Sequence, residues 1–306
     1  MMAMRPLAVF LVLGLGVLGG CTLLSGWSDL QESLGTGVDG AVESGEQRPD
    51  ANDEDSMVDA SGETDASGDG GSAYVAAVVA DRPVLYLRLG ERVTDSPRGA
   101  RDSSGSGHDA GAFQGPVICG VVGAIKGDND TACHFDGAGS AITVAPSGLK
   151  FAAAAPYSVE AWVRPATLTA GGDPVFSVAG RLTLDDGYML FVDAAARRGV
   201  TTRETADGGR STPAGGDLSS TYYSHLVTTF DGALLTIYVD GDRKGQAVTS
   251  TPFAAASTIP FSIGANGNAD NHFFVGDLDE IAVYDHALSA ERVRAHHDVG
   301  LGIVVP

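Results

Sequence analysis

Tyr157-Ser-Val-Glu-Ala-Trp-Val-Arg164 is the stretch on which the fold turns. Side chains alternate across an extended strand. Tyr157, Val159, Ala161 and Val163 therefore share one face, and Ser158, Glu160, Trp162 and Arg164 the other. Short apolar runs of similar length lie on both sides of it: Val84–Leu89, Ala141–Val144, Pro174–Val178, Tyr188–Val192, His225–Phe230, Leu234–Val239, Phe261–Ile263 and Leu278–Tyr284. Each is of strand length, several alternate with period two, and no long helical stripe separates them. Gly, Asp, Asn and Pro fill the gaps. Val239-Asp-Gly-Asp242 reads as a hairpin, since Asp-Gly tolerates positive φ at both central positions, and Phe135-Asp-Gly137 and Phe230-Asp-Gly232 read as strand exits. Many short strands with glycine-rich turns predict an all-β sandwich or barrel over residues 73–306, not a parallel α/β sheet. A short helix is expected over Ser289–His297, capped by Ser289 with Glu291 favouring its N-terminal dipole.

Before Ala73 the character changes. Arg5 precedes the apolar run Leu7–Leu18, and Leu18-Gly-Gly-Cys21 follows it. This apolar stretch is shorter than the roughly 20 residues a membrane-crossing helix needs. It has the layout of an export signal, residues 1–20. Its end resembles the bacterial lipobox, which implies cleavage before Cys21 and a diacylglycerol with palmitate-type chains on its thiol; several acyl chains anchor stably where one does not. Thr22, rather than Asp, after the cysteine leans towards the outer membrane of the cell envelope, facing the periplasm or the surface. Residues 21–72 then form an acidic linker: Asp29–Asp69 holds 13 acidic side chains and one basic one, Arg48. Too few large apolar groups are present to offset ordering entropy. Such a coil spans roughly 40 Å root-mean-square.

Composition narrows the function. The chain has 306 residues, 39 acidic and 19 basic, for a net charge of −20. That balance disfavours general nucleic-acid binding, which needs Lys and Arg to displace counterions. Residues 73–306 carry 26 acidic and 17 basic side chains, so the predicted domain is only mildly acidic. Three cysteines are too few for a disulfide-built scaffold. With Cys21 lipidated, Cys119 and Cys133 remain; an even pair in an exported domain points to one disulfide, with two buried thiols as the alternative.

Tyr157–Pro165, His225-Leu-Val-Thr-Thr-Phe-Asp-Gly232, Ile237-Tyr-Val-Asp-Gly241, and Gly276–Tyr284 followed by Ala287-Leu-Ser289, occur in that order. With Tyr86-Leu-Arg-Leu-Gly-Glu91 and Asp102-Ser-Ser-Gly105 before them, they resemble the laminin-G-like, concanavalin A-like lectin/glucanase group. The resemblance covers about residues 80–298 and implies a jelly-roll sandwich of two antiparallel sheets, one of them concave. Relatives of this fold hold a calcium ion near the sandwich edge, which implies Asp102 and Asp279 as oxygen ligands here. The alternative is that Asp102 organises a turn and Asp279 makes strand-end hydrogen bonds.

The sequence offers no convincing catalytic set. Glucanases of this fold alternate carboxylates along one strand into the cleft. The nearest candidate, Asp277-Leu-Asp-Glu280, places Asp277 and Asp279 on one face and Glu280 on the other, and it lies outside the family's catalytic strand. No Gly-x-Ser-x-Gly elbow occurs. His296-His297 reads as a surface pair, and Arg197, Arg198, Arg203 and Arg210 as a solvated hairpin. The expected function is non-catalytic recognition of an extracellular glycan or surface protein, with a glycan-cleaving hydrolase or a purely structural envelope lipoprotein as alternatives. Candidate ligand-binding residues are Trp162 with Glu160 and Arg164, Tyr222-Tyr223, and the loop carrying Asn266 and His272, because aromatics stack on sugars while polar groups orient them. Each also has an ordinary reading: packing for Trp162, strand residues for the tyrosines, a hairpin connection for the loop.

Overall fold

The period-two runs become strands because each can bury one face only by pairing and then stacking on a second sheet. The computed structural model describes residues 72–91, 99–168, 175–182, 187–204, 210–249 and 258–303. The expected signal peptide, Cys21 and the acidic linker up to residue 71 lie outside the described residues. In chain order the elements are α1 (Ala73–Ala80), β1 (Leu85–Leu87), β2 (Val117–Val122), β3 (Thr131–Asp136), β4 (Ile142–Val144), β5 (Tyr157–Pro165), β6 (Val175–Leu182), β7 (Gly187–Asp193) and β8 (Arg198–Glu204). There follow β9 (Arg210–Ser211), β10 (Ala214–Gly215), β11 (Ser224–Phe230), β12 (Leu234–Val239), β13 (Asp242–Val248), β14 (Phe261–Ile263), β15 (Val275–Tyr284) and α2 (Ala290–Gly300).

They form two antiparallel sheets. The eight-stranded sheet runs β13-β12-β11-β5-β15-β3-β2, with β1 also paired to β15; the seven-stranded sheet runs β10-β8-β7-β6-β14-β4, with β9 also paired to β8. Tyr157, Val159, Ala161 and Val163 of β5 point into the shared core with Leu190 and Val192 of β7, Phe261 and Ile263 of β14, and Leu278, Ile281 and Val283 of β15. Burying a side chain of this size contributes about 1.5–3 kcal/mol. Phe135, Phe230 and Phe274 are buried in the same core. At the β12–β13 hairpin, Asp240 and Gly241 have φ of 53° and 77°, the paired positive values that match the twist of a two-residue connection. Cys119 of β2 and Cys133 of β3 stand directly opposite each other and form a disulfide.

Both helices belong to the outer face of the eight-stranded sheet. The side chain of Ser289 caps α2 by accepting from the Arg292 amide, and Ser72 caps α1 by accepting from Val75. The sequence reading has no counterpart for α1: Ala-Tyr-Val-Ala-Ala-Val-Val-Ala lacks the polar positions that would mark an amphipathic stripe. The two helices are tied together, with Arg292 Nε 2.7 Å from Asp81 Oδ2 and Arg292 also donating to the Ala77 carbonyl. Gly300 ends α2 against Trp162, where a Cβ would sit 2.4 Å from the indole ring.

Three expectations are corrected here. His296 is fully buried beneath α1, because the helix pair turns its α2 face inward. Arg203 is buried too; it crosses into the core and lies 4.3 Å from the Phe230 ring centre, whereas Arg197, Arg198 and Arg210 remain exposed. Glu280 does not oppose Asp277 and Asp279. A bulge between Asp279 and Ala282, with Glu280 at φ 52°, inserts one residue and returns Glu280 to the outer face, where it meets Tyr86 and Arg88.

Candidate functional site

On β7 and β8 the alternation that fills the core also builds the opposite surface. Tyr188, Leu190 and Val192 go inward, so Met189 and Phe191 go outward. On β8, Thr201 bonds to Thr228 across the core and Arg203 is interior, leaving Val200, Thr202 and Glu204 on the outer face. A wall is added by the connection between β14 and β15. Its backbone is locked: Asn266 N donates to Asn271 O, Ala269 N to Asn266 O and Asp270 N to the Asn266 side chain. It is fixed to β6 through Gly267 N to Leu182 O and Ser177 N to His272 O.

Sheet and wall enclose a cavity of about 380 Å³. This lies within the roughly 300–1,000 Å³ usual for small-ligand sites. Leu182, Phe191 and Val200 give it an apolar floor. Asn266, Asn268, Asn271 and His272 supply amides and an imidazole from the wall, and Thr212 a hydroxyl. Glu204 and Arg210 stand opposite each other on β8 and β9 and form an ion pair. Thr202 is 2% exposed, and its hydroxyl finds no hydrogen-bond partner among the described residues. A buried hydroxyl without a partner is costly, so one that lines a cavity is a ready contact for a bound polar group.

The sequence-derived candidates divide among three places. Asn266 and His272 lie in this cavity. Trp162 and Glu160 do not: both are buried on the other sheet beneath the helices. Glu160 accepts from Tyr74 Oη (2.8 Å), His225 Nε2 (2.8 Å), Tyr284 Oη (2.9 Å) and His296 Nδ1 (3.0 Å). Trp162 Nε1 donates to Tyr74 Oη at 3.0 Å. His296 Nε2 faces Asp81 Oδ2 at 3.0 Å and the Ala77 carbonyl, so both ring nitrogens meet acceptors and the imidazolium is favoured. Burial pushes the Glu160 carboxyl up, but the His296 charge and the two histidine hydrogen bonds outweigh it and hold it well below the carboxylate range. Burial pushes His296 down, yet Glu160 and Asp81 raise it. His225 is lowered, because burial outweighs its bond to Glu160. These bonds join α1, β5, β11, β15 and α2 into a clamp between helices and sheet, in which His225 Nδ1 finds no hydrogen-bond partner among the described residues.

Arg164, Tyr222 and Tyr223 come together elsewhere on that sheet. The Arg164 guanidinium lies 4.7 Å from the Tyr223 ring centre and pairs with Asp277, which His134 also contacts at 2.7 Å; Tyr222 is 63% exposed. Of the β15 carboxylates, Asp277 pairs as stated, Glu280 meets Tyr86 and Arg88, and Asp279 Oδ2 accepts from the Ala124 amide while its buried Oδ1 finds no hydrogen-bond partner among the described residues. Burial raises Glu280 to about 8 and, together with the Glu280 charge, lifts Asp279 well above its usual value.

Asp102 and Asp279 do not fit a shared calcium ion. Asp102 Oδ1 accepts from the amides of Tyr86 and Ser104, and Oδ2 from the Ser104 hydroxyl and the His108 amide, which occupies its acceptor positions. The acidic groups around Glu280 already surround a cation, the Arg88 guanidinium, which bridges Asp128, Asp130 and Glu280. Among the described residues no group of three or more His, Cys, Asp or Glu side chains is arranged to hold a metal.

Phe191, Thr202 and Glu204 were not singled out by the sequence. The available signal was the outward register of β7, Met189 and Phe191, but β8 opens with Arg-Gly and carries Thr-Thr-Arg, so its alternation is polar and does not advertise a strand.

The family profile for the concanavalin A-like lectin/glucanases superfamily matches residues 136–294, just over half of the chain. No curated protein matches it in sequence. Similar solved structures include the binding domain of Paraclostridial mosquitocidal protein 1 (TM-score 0.57, 15% identity, 72% of this chain and 52% of that one). The botulinum neurotoxin serotype G binding domain is also similar (0.53, 16%, 70% and 50%). So is domain 4 of AbnA, an extracellular arabinanase of Geobacillus stearothermophilus, solved with arabinotriose (0.54, 18%, 71% and 98%). The chain spans about half the length of the two toxin domains.

Proposed function

The chain belongs to the concanavalin A-like lectin/glucanases superfamily, and from that premise we propose that it is a non-catalytic binding module for an extracellular glycan, held at the cell envelope by a lipid on Cys21. The observation that carries the reading is the cavity on the seven-stranded sheet. Its apolar floor of Leu182, Phe191 and Val200 suits the C–H face of a sugar, and the unpartnered Thr202 hydroxyl with the Asn266 and Asn271 amides suits its hydroxyls. A domain of the same fold solved with arabinotriose makes an oligosaccharide the first ligand class to test. Asp277 and Glu280 of β15 are engaged in ion pairs with Arg164 and Arg88, which supports binding over cleavage.

The test is a glycan array followed by calorimetry on the hits. Phe191→Ala and Thr202→Val are expected to weaken binding about tenfold or more each, in proportion to a lost apolar contact and a lost hydrogen bond, with the fold retained by circular dichroism. Retention of no glycan, or variants that bind like the parent chain, overturns the reading, as does turnover of any bound glycan. For the anchor, labelling with a palmitate analogue is expected in the full chain and lost in Cys21→Ala; equal labelling removes Cys21 as the acceptor.

A further inference from the structure

We propose that the cavity selects uncharged sugars and rejects those bearing a carboxylate, with the Glu204–Arg210 pair as the deciding element. This deepens the glycan reading and rests on it. Glu204 is 7% exposed and sits on the outer face of β8, while Arg210, opposite it on β9, is 62% exposed. The strand register therefore holds a deeply set carboxylate inside the cavity with its cation towards solvent. Among the described lining residues the charged groups are Glu204, Asp270 and Arg210, so carboxylates outnumber the single guanidinium, which is already paired.

An acidic sugar meets this arrangement badly. Its carboxylate either stays unpaired near Glu204 and Asp270, or competes with Glu204 for the Arg210 guanidinium. Both outcomes bring like charges together beside one shared cation. An uncharged sugar disturbs nothing. Its hydroxyls donate to the two carboxylates as charge-assisted hydrogen bonds, accept from the wall amides, and give the Thr202 hydroxyl the partner it lacks. Selection by charge thus follows from which groups are already committed, and needs no movement of the backbone.

The experiment compares chemically matched probes, oligomers of galactose and of galacturonic acid together with glucose and glucuronic acid oligomers, by calorimetry on the purified chain. It is run at pH 8, where the sugar carboxylates are fully charged. The expected result is at least about tenfold tighter binding of a neutral oligomer than of its acidic counterpart. Glu204→Gln is expected to shrink that ratio about threefold or more, because Arg210 is then released to meet the acidic sugar. Asp270→Asn, on the exposed wall and outside the ion pair, is expected to shrink it in the same direction, and it keeps the test decisive where Glu204→Gln fails to fold. Acidic oligomers binding as tightly as neutral ones, or a ratio unchanged in a folded variant, overturns the selection while leaving glycan binding intact. If neither class binds, the glycan reading falls and the selection with it.

Discussion

The two sheets each have an outer face, and the chain treats them differently. On the eight-stranded sheet that face is covered by α1 and α2, and the polar atoms beneath them converge on one carboxylate. Glu160 has four side-chain partners drawn from α1, β11, β15 and α2. On the seven-stranded sheet no described helix covers β7 and β8, and there the buried Thr202 hydroxyl has no partner beside an open cavity. Both faces carry buried polar groups. What separates a clamp from a candidate site is whether an unpartnered group lines an open cavity, as Thr202 does, or lies packed beneath helices, as His225 Nδ1 does. Polar, aromatic and titratable residues such as Trp162, Glu160 and His225 looked like ligand contacts in sequence, yet their hydrogen bonds lock helices to a sheet.

The sharpest way to break this contrast is to damage the covered face and ask whether the open one notices. Glu160→Ala is expected to cost about 3–5 kcal/mol in chemical denaturation, because it strands His296 and the two tyrosines. Glycan binding, measured where the variant is still folded, should be retained. Loss of binding in that folded variant would mean the two faces are coupled. Next in size is the Cys119→Ala/Cys133→Ala double variant, which opens a loop with a sequence separation of 14 and is expected to lose about 3 kcal/mol, again without changing binding.

The smallest effect is also the most diagnostic, since it is a dependence on pH. His296 is raised in the fold, so its contribution is complete below the ordinary imidazole value near 6.5 and fades as pH climbs through the folded value. His225 is lowered and kept neutral, so its contribution fades as pH falls below about 6.5, where the unfolded chain takes up the proton first. Glu160, lowered as well, adds to the acid-side loss as pH falls through its folded value. The two histidines therefore oppose each other. His296→Gln should flatten the alkaline limb of the stability profile and leave the acid limb steep. A profile with both limbs unchanged would remove His296 from the clamp.

Much of the scaffold was legible. The runs at β5, β11, β12 and β15 alternate strongly because one side of each meets the shared core, and they carry the motifs by which the family is recognised. All four lie in the covered sheet. The cavity was largely illegible for the corresponding reason. Its strand β8 shows threonine, arginine and glutamate where an apolar face would have announced a strand, and its wall is an Asn-rich connection whose shape is fixed by backbone hydrogen bonds. Asn266 and His272 were found from composition, whereas Phe191, Thr202 and Glu204 needed the register of β7 against β8.

Alternation and turn chemistry, both local properties of the chain, determined by themselves that residues 73–306 make an all-β sandwich or barrel, that an Asp-Gly hairpin joins β12 to β13, and that a helix capped by Ser289 follows β15. Only the tertiary structure decided which outer face is covered, that a bulge turns Glu280 beside Asp279, that His296 is interior, and that Thr202 is left without a partner. Those outcomes depend on contacts between residues far apart in sequence, and a strand's own pattern says which of its sides is apolar without saying what will come to lie against the other.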